Sequence, residues 1–160
     1  MTVSDSRAVV PGPVAGLTVS GLTAGWEKAV RTTAKHPRGQ VSVAKGDVAL
    51  TVVPLPDDAD AAWGISCARY GKPAPHDTTA LFGLCWPAGV DDPERAKVAA
   101  WLADVPADAR DARHRFDGYT AVVEYAPPGT YNNGPDPDPD RDGSALKIYL
   151  TGGSGQPGLT

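Results

Sequence analysis

At 160 residues the chain has the length of one ordinary domain, which buries about two-thirds of its unfolded surface. Its 41% hydrophobic and 21% charged residues are typical of a folded globular protein and argue against a disordered or coiled-coil chain. The net charge of −4 argues against nucleic acid as a partner, because phosphate binding needs a clustered positive surface. No apolar run approaches the roughly 18 to 20 residues of a spanning helix, so we expect no membrane span.

The amino-terminal sequence bears on the compartment. It has no basic stretch followed by an apolar segment, so no secretion signal is visible. The default expectation is therefore a soluble, cytoplasmic protein, in which two cysteines are usually reduced thiols. If a leader has been removed from the sequence, an envelope or secreted location is the alternative.

The first part of the chain predicts a flexible arm, a strand, a helix and a hairpin, in that order. The polar residues 1–13 form the arm, and residues 14–20 are predicted to form a first strand. Apolar residues at helical spacing predict a helix over 22–36, because the proline that follows disfavours helical geometry in the residue before it. Valines alternating with polar residues over 41–52, around a Lys-Gly turn, predict a β-hairpin.

Two short apolar runs follow, and each carries one cysteine. The runs 63–70 and 80–86 lie symmetrically about His76, so pairing them as a hairpin places Cys67 directly opposite Cys85. Directly opposed residues have Cα atoms about 4.5 to 5.5 Å apart, which a disulfide tolerates. Three interpretations are open: two buried reduced thiols, a disulfide that stabilises by about 3 kcal/mol, or thiols used in catalysis or metal binding.

The same hairpin register would place three aromatic side chains on one face. These are Tyr70, Phe82 and Trp86. If that face is exposed, it is a candidate patch for binding another protein. If it is covered, the same residues belong to the core.

The second half of the chain predicts further helices and two closing strands. An Asp-Pro-Glu start predicts a helix over 92–105, because these residues favour the positive end of a helix. The charged segment 107–116 predicts a short helix with its basic residues on a solvated face. Alternating apolar residues predict strands over 119–125 and 146–150, separated by a long loop over 127–144.

Together these elements predict an α+β fold. It consists of a mainly antiparallel sheet of about six to seven strands, with the two main helices, 22–36 and 92–105, packed on one face. We expect a single domain over 14–151 and a flexible tail over 152–160, where glycine and serine are frequent.

The long loop contains the sharpest motif in the sequence. Asp138, Asp140 and Asp142, followed by Gly143, place oxygen ligands at alternate positions before a residue that permits a sharp turn. The fragment resembles the first half of a helix–loop–helix calcium site. Tyr149 stands where that pattern has its closing glutamate, so we expect weak calcium binding at most, or simply a solvated acidic loop.

Catalytic patterns are sparse in this sequence. The three histidines lie in separate segments, and no serine occupies a nucleophile elbow. A cysteine-dependent enzyme would use Cys85 with His76, and zinc at this site would lack the spacing of structural zinc sites.

We therefore predict a non-catalytic protein-binding or assembly module that uses the aromatic face and the loop 127–144. The partner is expected to be another protein, and no cofactor is expected apart from the weak calcium site. The two alternatives are a disulfide-stapled envelope or secreted protein with a weak calcium site, and a cysteine-dependent enzyme. The sequence leaves the oligomeric state open.

Overall fold

The computed structural model describes residues 11–36, 39–71, 78–106, 111–131 and 143–153. Within these ranges the chain forms three helices and one six-stranded sheet in which every strand pair is antiparallel. The predicted α+β class with a mainly antiparallel sheet is therefore confirmed. No helix in these ranges is both long and apolar enough to cross a membrane.

Along the described chain, one helix is followed by three strands, then by two helices and then by three further strands. The helices are α1 (Val19–Val30), α2 (Thr78–Cys85) and α3 (Asp92–Asp104). The strands are β1 (Val41–Lys45), β2 (Val48–Pro54), β3 (Ala62–Gly71), β4 (Asp111–Phe116), β5 (Tyr119–Tyr131) and β6 (Gly143–Gly152). Their order across the sheet is β1-β2-β3-β6-β5-β4, so the last strand in the chain lies in the middle of the sheet.

One face of the sheet supplies the strand side of the hydrophobic core. A row of directly opposed residues crosses five strands on this face: Val43, Leu50, Cys67, Ile148 and Val123. All five are buried, and opposed residues project to the same side of a sheet. Helix α1 contacts β1 and β2, and α2 contacts β3 and β6. Helices α1 and α2 thus each contact two strands.

The β1–β2 hairpin is confirmed at its predicted position. Val43 opposes Leu50, and Lys45 opposes Val48 across a two-residue turn. Gly46 adopts a φ of 62° at the first turn position, which glycine takes without steric cost.

Helix α1 is shorter than predicted and starts earlier. Thr18 accepts a hydrogen bond from the Gly21 amide at 3.0 Å, so it caps the helix at Val19. The helix ends at Val30 because Arg31 turns left-handed with a φ of 59°. The strand predicted over 14–20 is wrong, since this segment contributes only an isolated bridge at Thr18.

The predicted cysteine hairpin is also wrong, although its two cysteines do meet. The first run belongs to β3, but the second forms α2. An apolar run of this length fits a buried strand and a buried helix equally well by periodicity alone. Cys67 on β3 and Cys85 on α2 form a disulfide with an S–S distance of 2.07 Å and a Cα–Cα distance of 5.7 Å. Both residues are fully buried, so the bond ties the helix to the sheet inside the core.

The helix predicted over 107–116 is wrong where the structure describes it, because 111–116 form β4. Ala112 and Phe116 are both half-buried, and exposed Asp111 and Arg113 alternate with them, which is a strand period. A helix would place Asp111 and Arg115 one turn apart, where the two side chains can pair. In a strand, four residues span about 13 Å, so this pairing is lost.

The strands around the long loop extend beyond their predicted ends. Residues 127–131 belong to β5 and residues 143–144 to β6, so the loop predicted over 127–144 is shorter than expected. The positions between these two strands lie outside the described residues. At the other end of β6, a Cβ atom on Gly152 would overlap the carbonyl oxygen of Gly12, so only glycine fits there.

We predict that removing the disulfide destabilises the protein without changing the fold. The bond joins residues 18 positions apart, and closing a loop of that size stabilises by about 3 kcal/mol in the chain-entropy model. The variant C67A/C85A should therefore unfold with a free energy about 3 kcal/mol lower than the wild type in urea titrations. Adding a reductant throughout should remove most of this difference. Equal stabilities without reductant would contradict the prediction.

Candidate functional site

The three aromatic residues predicted to share a binding face do not share one. Phe82 and Trp86 lie on or just after α2 and are buried at 3% and 0% exposure. The Trp86 indole N–H donates to the Val90 carbonyl at 2.6 Å, which fixes it inside the core. Tyr70 is 45% exposed on β3. The predicted aromatic face is wrong because its second strand is a helix that turns these rings inward.

The predicted metal and thiol sites have different outcomes. Asp138, Asp140 and Asp142 lie outside the described residues, as does His76. Within the described ranges, no group of three or more His, Cys, Asp or Glu side chains is placed to hold a metal ion. Both cysteines are consumed by the buried disulfide, so neither sulfur is a free nucleophile in this oxidised form.

The candidate functional site is the outer edge of β4. Strands β1 and β4 are the two ends of the sheet. The segment after α1 closes part of the β1 edge, because Lys35 and Ser42 exchange two backbone hydrogen bonds of 2.8 Å. Within the described residues, β4 pairs only with β5. The two edges of the sheet are therefore unequal.

The register determines which backbone groups of β4 face outward. Phe116 opposes Tyr119 across a two-residue connection, so these two residues form a hydrogen-bonded pair. Bonded and non-bonded pairs alternate along an antiparallel ladder. The N–H and C=O groups of Asp111, Arg113 and Arg115 consequently point away from β5. Among the described residues no hydrogen bond reaches these groups.

The side chains of β4 divide between the two faces of the sheet. Ala112 opposes the core residue Val123, so it faces the core side together with the residues two and four positions further on. Arg113 and Arg115 lie on the opposite face, and both are exposed. This face thus carries two guanidinium groups beside backbone groups that no described residue bonds.

One of these arginines is held in place. The Arg115 Nη1 atom donates to the Thr120 hydroxyl at 2.9 Å and to the Gly153 carbonyl at 2.7 Å. Arg113 forms no ion pair with any described residue. Among the described residues, the edge therefore combines one anchored guanidinium group, that of Arg115, with one that makes no ion pair, that of Arg113.

A series of aromatic rings supports the core side of β4. Trp101 of α3 stacks on His114 with centroids 5.8 Å apart, and His114 meets Phe116 edge-on at 4.6 Å. Phe116 stacks in turn on Tyr119 at 5.2 Å with an interplanar angle of 11°. Tyr119 is fully buried, so the rings connect the edge strand to the core. Such contacts favour a rigid edge.

A hydrogen bond locks the inner end of this series. The Tyr119 hydroxyl donates to Glu94 of α3 at 2.8 Å. This bond, with a second from Lys97, holds the pKa of the Glu94 carboxyl below its ordinary value. Burial raises the pKa of the Tyr119 phenol, and the bond to Glu94 raises it further. The phenol therefore stays protonated, and it ties β5 to α3.

This edge is absent from the sequence-based predictions, because the charged segment 107–116 is predicted there as a helix. Two signals could have found it. The order Ala112, His114, Phe116 alternates with charged residues, and the Asp117-Gly118 pair that follows is a common hairpin turn. The edge position itself could not be found, because it depends on where β6 inserts.

Comparison with known proteins adds no relative. No protein-family model, curated protein or solved structure matches the chain.

We predict that Tyr119→Phe lowers stability at neutral pH and flattens its acid dependence. The folded pKa of Glu94 lies below its ordinary value of 4.5, so its contribution is present above that pH and is lost as pH falls through the folded pKa. Losing the bond should cost about 1 kcal/mol at pH 7, because Glu94 is partly exposed. Urea titrations at several pH values measure both effects.

The matched control for this prediction is Glu94→Gln, which also removes the ionised acceptor. Its loss should be similar, and the double variant should cost less than the sum of the two single losses. Strictly additive losses would show that the two side chains do not interact.

Proposed function

We propose that this chain is a non-catalytic protein-binding module that receives an extended segment of a partner along the outer edge of β4. The observation that carries the proposal is the row of outward backbone groups at Asp111, Arg113 and Arg115, which no described residue satisfies. A strand edge of this kind is a template for a further strand. Proteins that bind extended peptides use such edges, since main-chain bonds supply affinity and side chains supply specificity.

The inequality of the two sheet edges supports this choice of edge. On β1, the bridge to Lys35 already uses the outward groups of Ser42. The turn to β2 then follows within three residues, so little of that edge is available. On β4, the outward groups of three alternate residues have no hydrogen-bond partner in the part of the chain that the structure describes. A strand added there would pair with β4 alone and would become the new end strand of the sheet.

The rigidity of β4 supports the proposal as well. A partner strand gains most when the edge it meets is already ordered, because the cost of ordering is then lower. The ring stack behind His114 and the anchored Arg115 provide that order. The predicted aromatic face cannot serve this purpose, since Phe82 and Trp86 are buried.

The disulfide favours a second proposal, which concerns the compartment. A disulfide between Cys67 and Cys85 persists in an oxidising environment and is rare in the cytosol. We propose that the module works in such an environment, as an envelope or secreted protein does. Counting free thiols in protein isolated with rapid alkylation tests this. Two alkylated cysteines in the native protein would contradict it.

We predict that the binding edge can be found by peptide display on the immobilised protein. Selected peptides should perturb the amide resonances of β4 and should bind Arg113→Pro at least tenfold more weakly than Arg113→Ala. Proline removes the outward N–H without disturbing the β5 ladder, and edge strands tolerate it, so the pair of variants isolates the backbone donor.

Both variants should retain the disulfide and the circular dichroism spectrum of the wild type. Selected peptides that bind both variants equally, or that perturb resonances elsewhere, would overturn the proposed function.

A further inference from the structure

We infer that the partner segment alternates acidic and apolar residues, with its acidic side chains facing Arg113 and Arg115. The inference rests on the proposed function and names the chemistry of its partner. In an added antiparallel strand, residues opposite these two arginines are two positions apart and project to the same face. Carboxylates at those positions would meet the two guanidinium groups directly.

The anchored arginine sharpens this preference. Only Nη1 of Arg115 is occupied by Thr120 and Gly153, so the remaining guanidinium donors are available. Holding the side chain in advance reduces the rotamer freedom that binding would otherwise remove. Arg113 is exposed beside it, and although Glu124 lies diagonally across the ladder on the same face, no ion pair of the described residues involves Arg113.

The other face of the edge favours apolar residues between the acidic ones. There the added strand would lie beside Ala112, His114 and Phe116, with Trp101 behind them. Trp101 and Phe116 are half-buried, so covering them removes apolar area from water. At the far end, Asp111 would favour a basic residue or none. The predicted pattern is therefore acidic, apolar, acidic, apolar.

In the register centred on Arg113, a second copy of this chain fits the edge less well. Antiparallel self-pairing centred on Arg113 would place Asp111 opposite Arg115 of the second copy twice, which is favourable. The same register places Arg113 against its own counterpart on the two-fold axis. Like charges directly opposed in a sheet are destabilising, whereas a carboxylate at that position is complementary. In this register, which engages all three outward residues, the charge pattern thus favours a different chain.

Three synthetic peptides of about ten residues test the inference. One alternates Glu and Val, one has the same composition with the glutamates grouped together, and one alternates Lys and Val. Fluorescence anisotropy should show the alternating acidic peptide binding at least tenfold more tightly than the other two, with amide shifts confined to β4 and its neighbours.

Two charge-reversed variants complete the experiment. Arg113→Glu should weaken binding of the acidic peptide at least tenfold and improve binding of the lysine peptide. The matched control is Lys45→Glu, which reverses an exposed charge on the opposite edge strand and should change neither affinity by more than about twofold.

The possible failures are distinguishable. If an alternating Thr-Val peptide binds as tightly as the acidic one and is lost in Arg113→Pro, the charge inference is wrong and the edge function stands. If sedimentation shows a wild-type dimer that Arg113→Pro dissociates, the edge is filled by a second copy and the inference is also wrong. If no peptide binds, or all bind Arg113→Pro normally, both the inference and the proposed function fail.

Discussion

The insertion of β6 between β3 and β5 is the constraint on which the rest of the structure depends. β6 pairs along most of its length on both sides, so it joins two groups of strands that are otherwise separate in sequence. Its apolar residues, Ile148 and Leu150, lie in the middle of the buried face. Because β6 fills the centre, β4 lies at the end of the sheet, and no described strand pairs with its outer backbone groups.

The disulfide acts on the same core from the helix side. Cys67 lies on β3 next to Ile148 of β6, and Cys85 ends α2. The bond therefore fixes a short helix to the two central strands. A helix of this length is marginal on its own, so tertiary contacts must hold it. The disulfide and the burial of Phe82 supply those contacts, and the aromatic residues of this segment stabilise the core, so they offer no exposed patch.

The charged residues on the edge of β4 are consistent with two roles, protection against aggregation and binding of a partner strand. Charges on edge strands protect against aggregation, because they disfavour pairing with neutral strands. The same charges admit a strand whose charges are complementary, so protection and selective binding are compatible. The β4 edge is also held rigid by contacts with the rest of the fold. Arg115 is anchored by two hydrogen bonds, and the stack from Trp101 to Tyr119 ends at a hydrogen bond to Glu94. A purely protective edge needs none of this order.

The sequence by itself determined the fold class, the β1–β2 hairpin and the helix from Asp92, because periodicity, turn residues and caps act locally. The hairpin predicted to bring Cys67 and Cys85 together does not form, so their disulfide contact was decided by the tertiary structure. The sequence could not determine that the second cysteine lies on a helix, because a short apolar run suits either a strand or a helix. It also could not determine that 111–116 form a strand, because the charged residues hide the alternation of apolar ones. Only the tertiary structure decided that β4 is the end strand of the described sheet, because edge position depends on which distant strand pairs with β5, and strand order is not written in any local pattern.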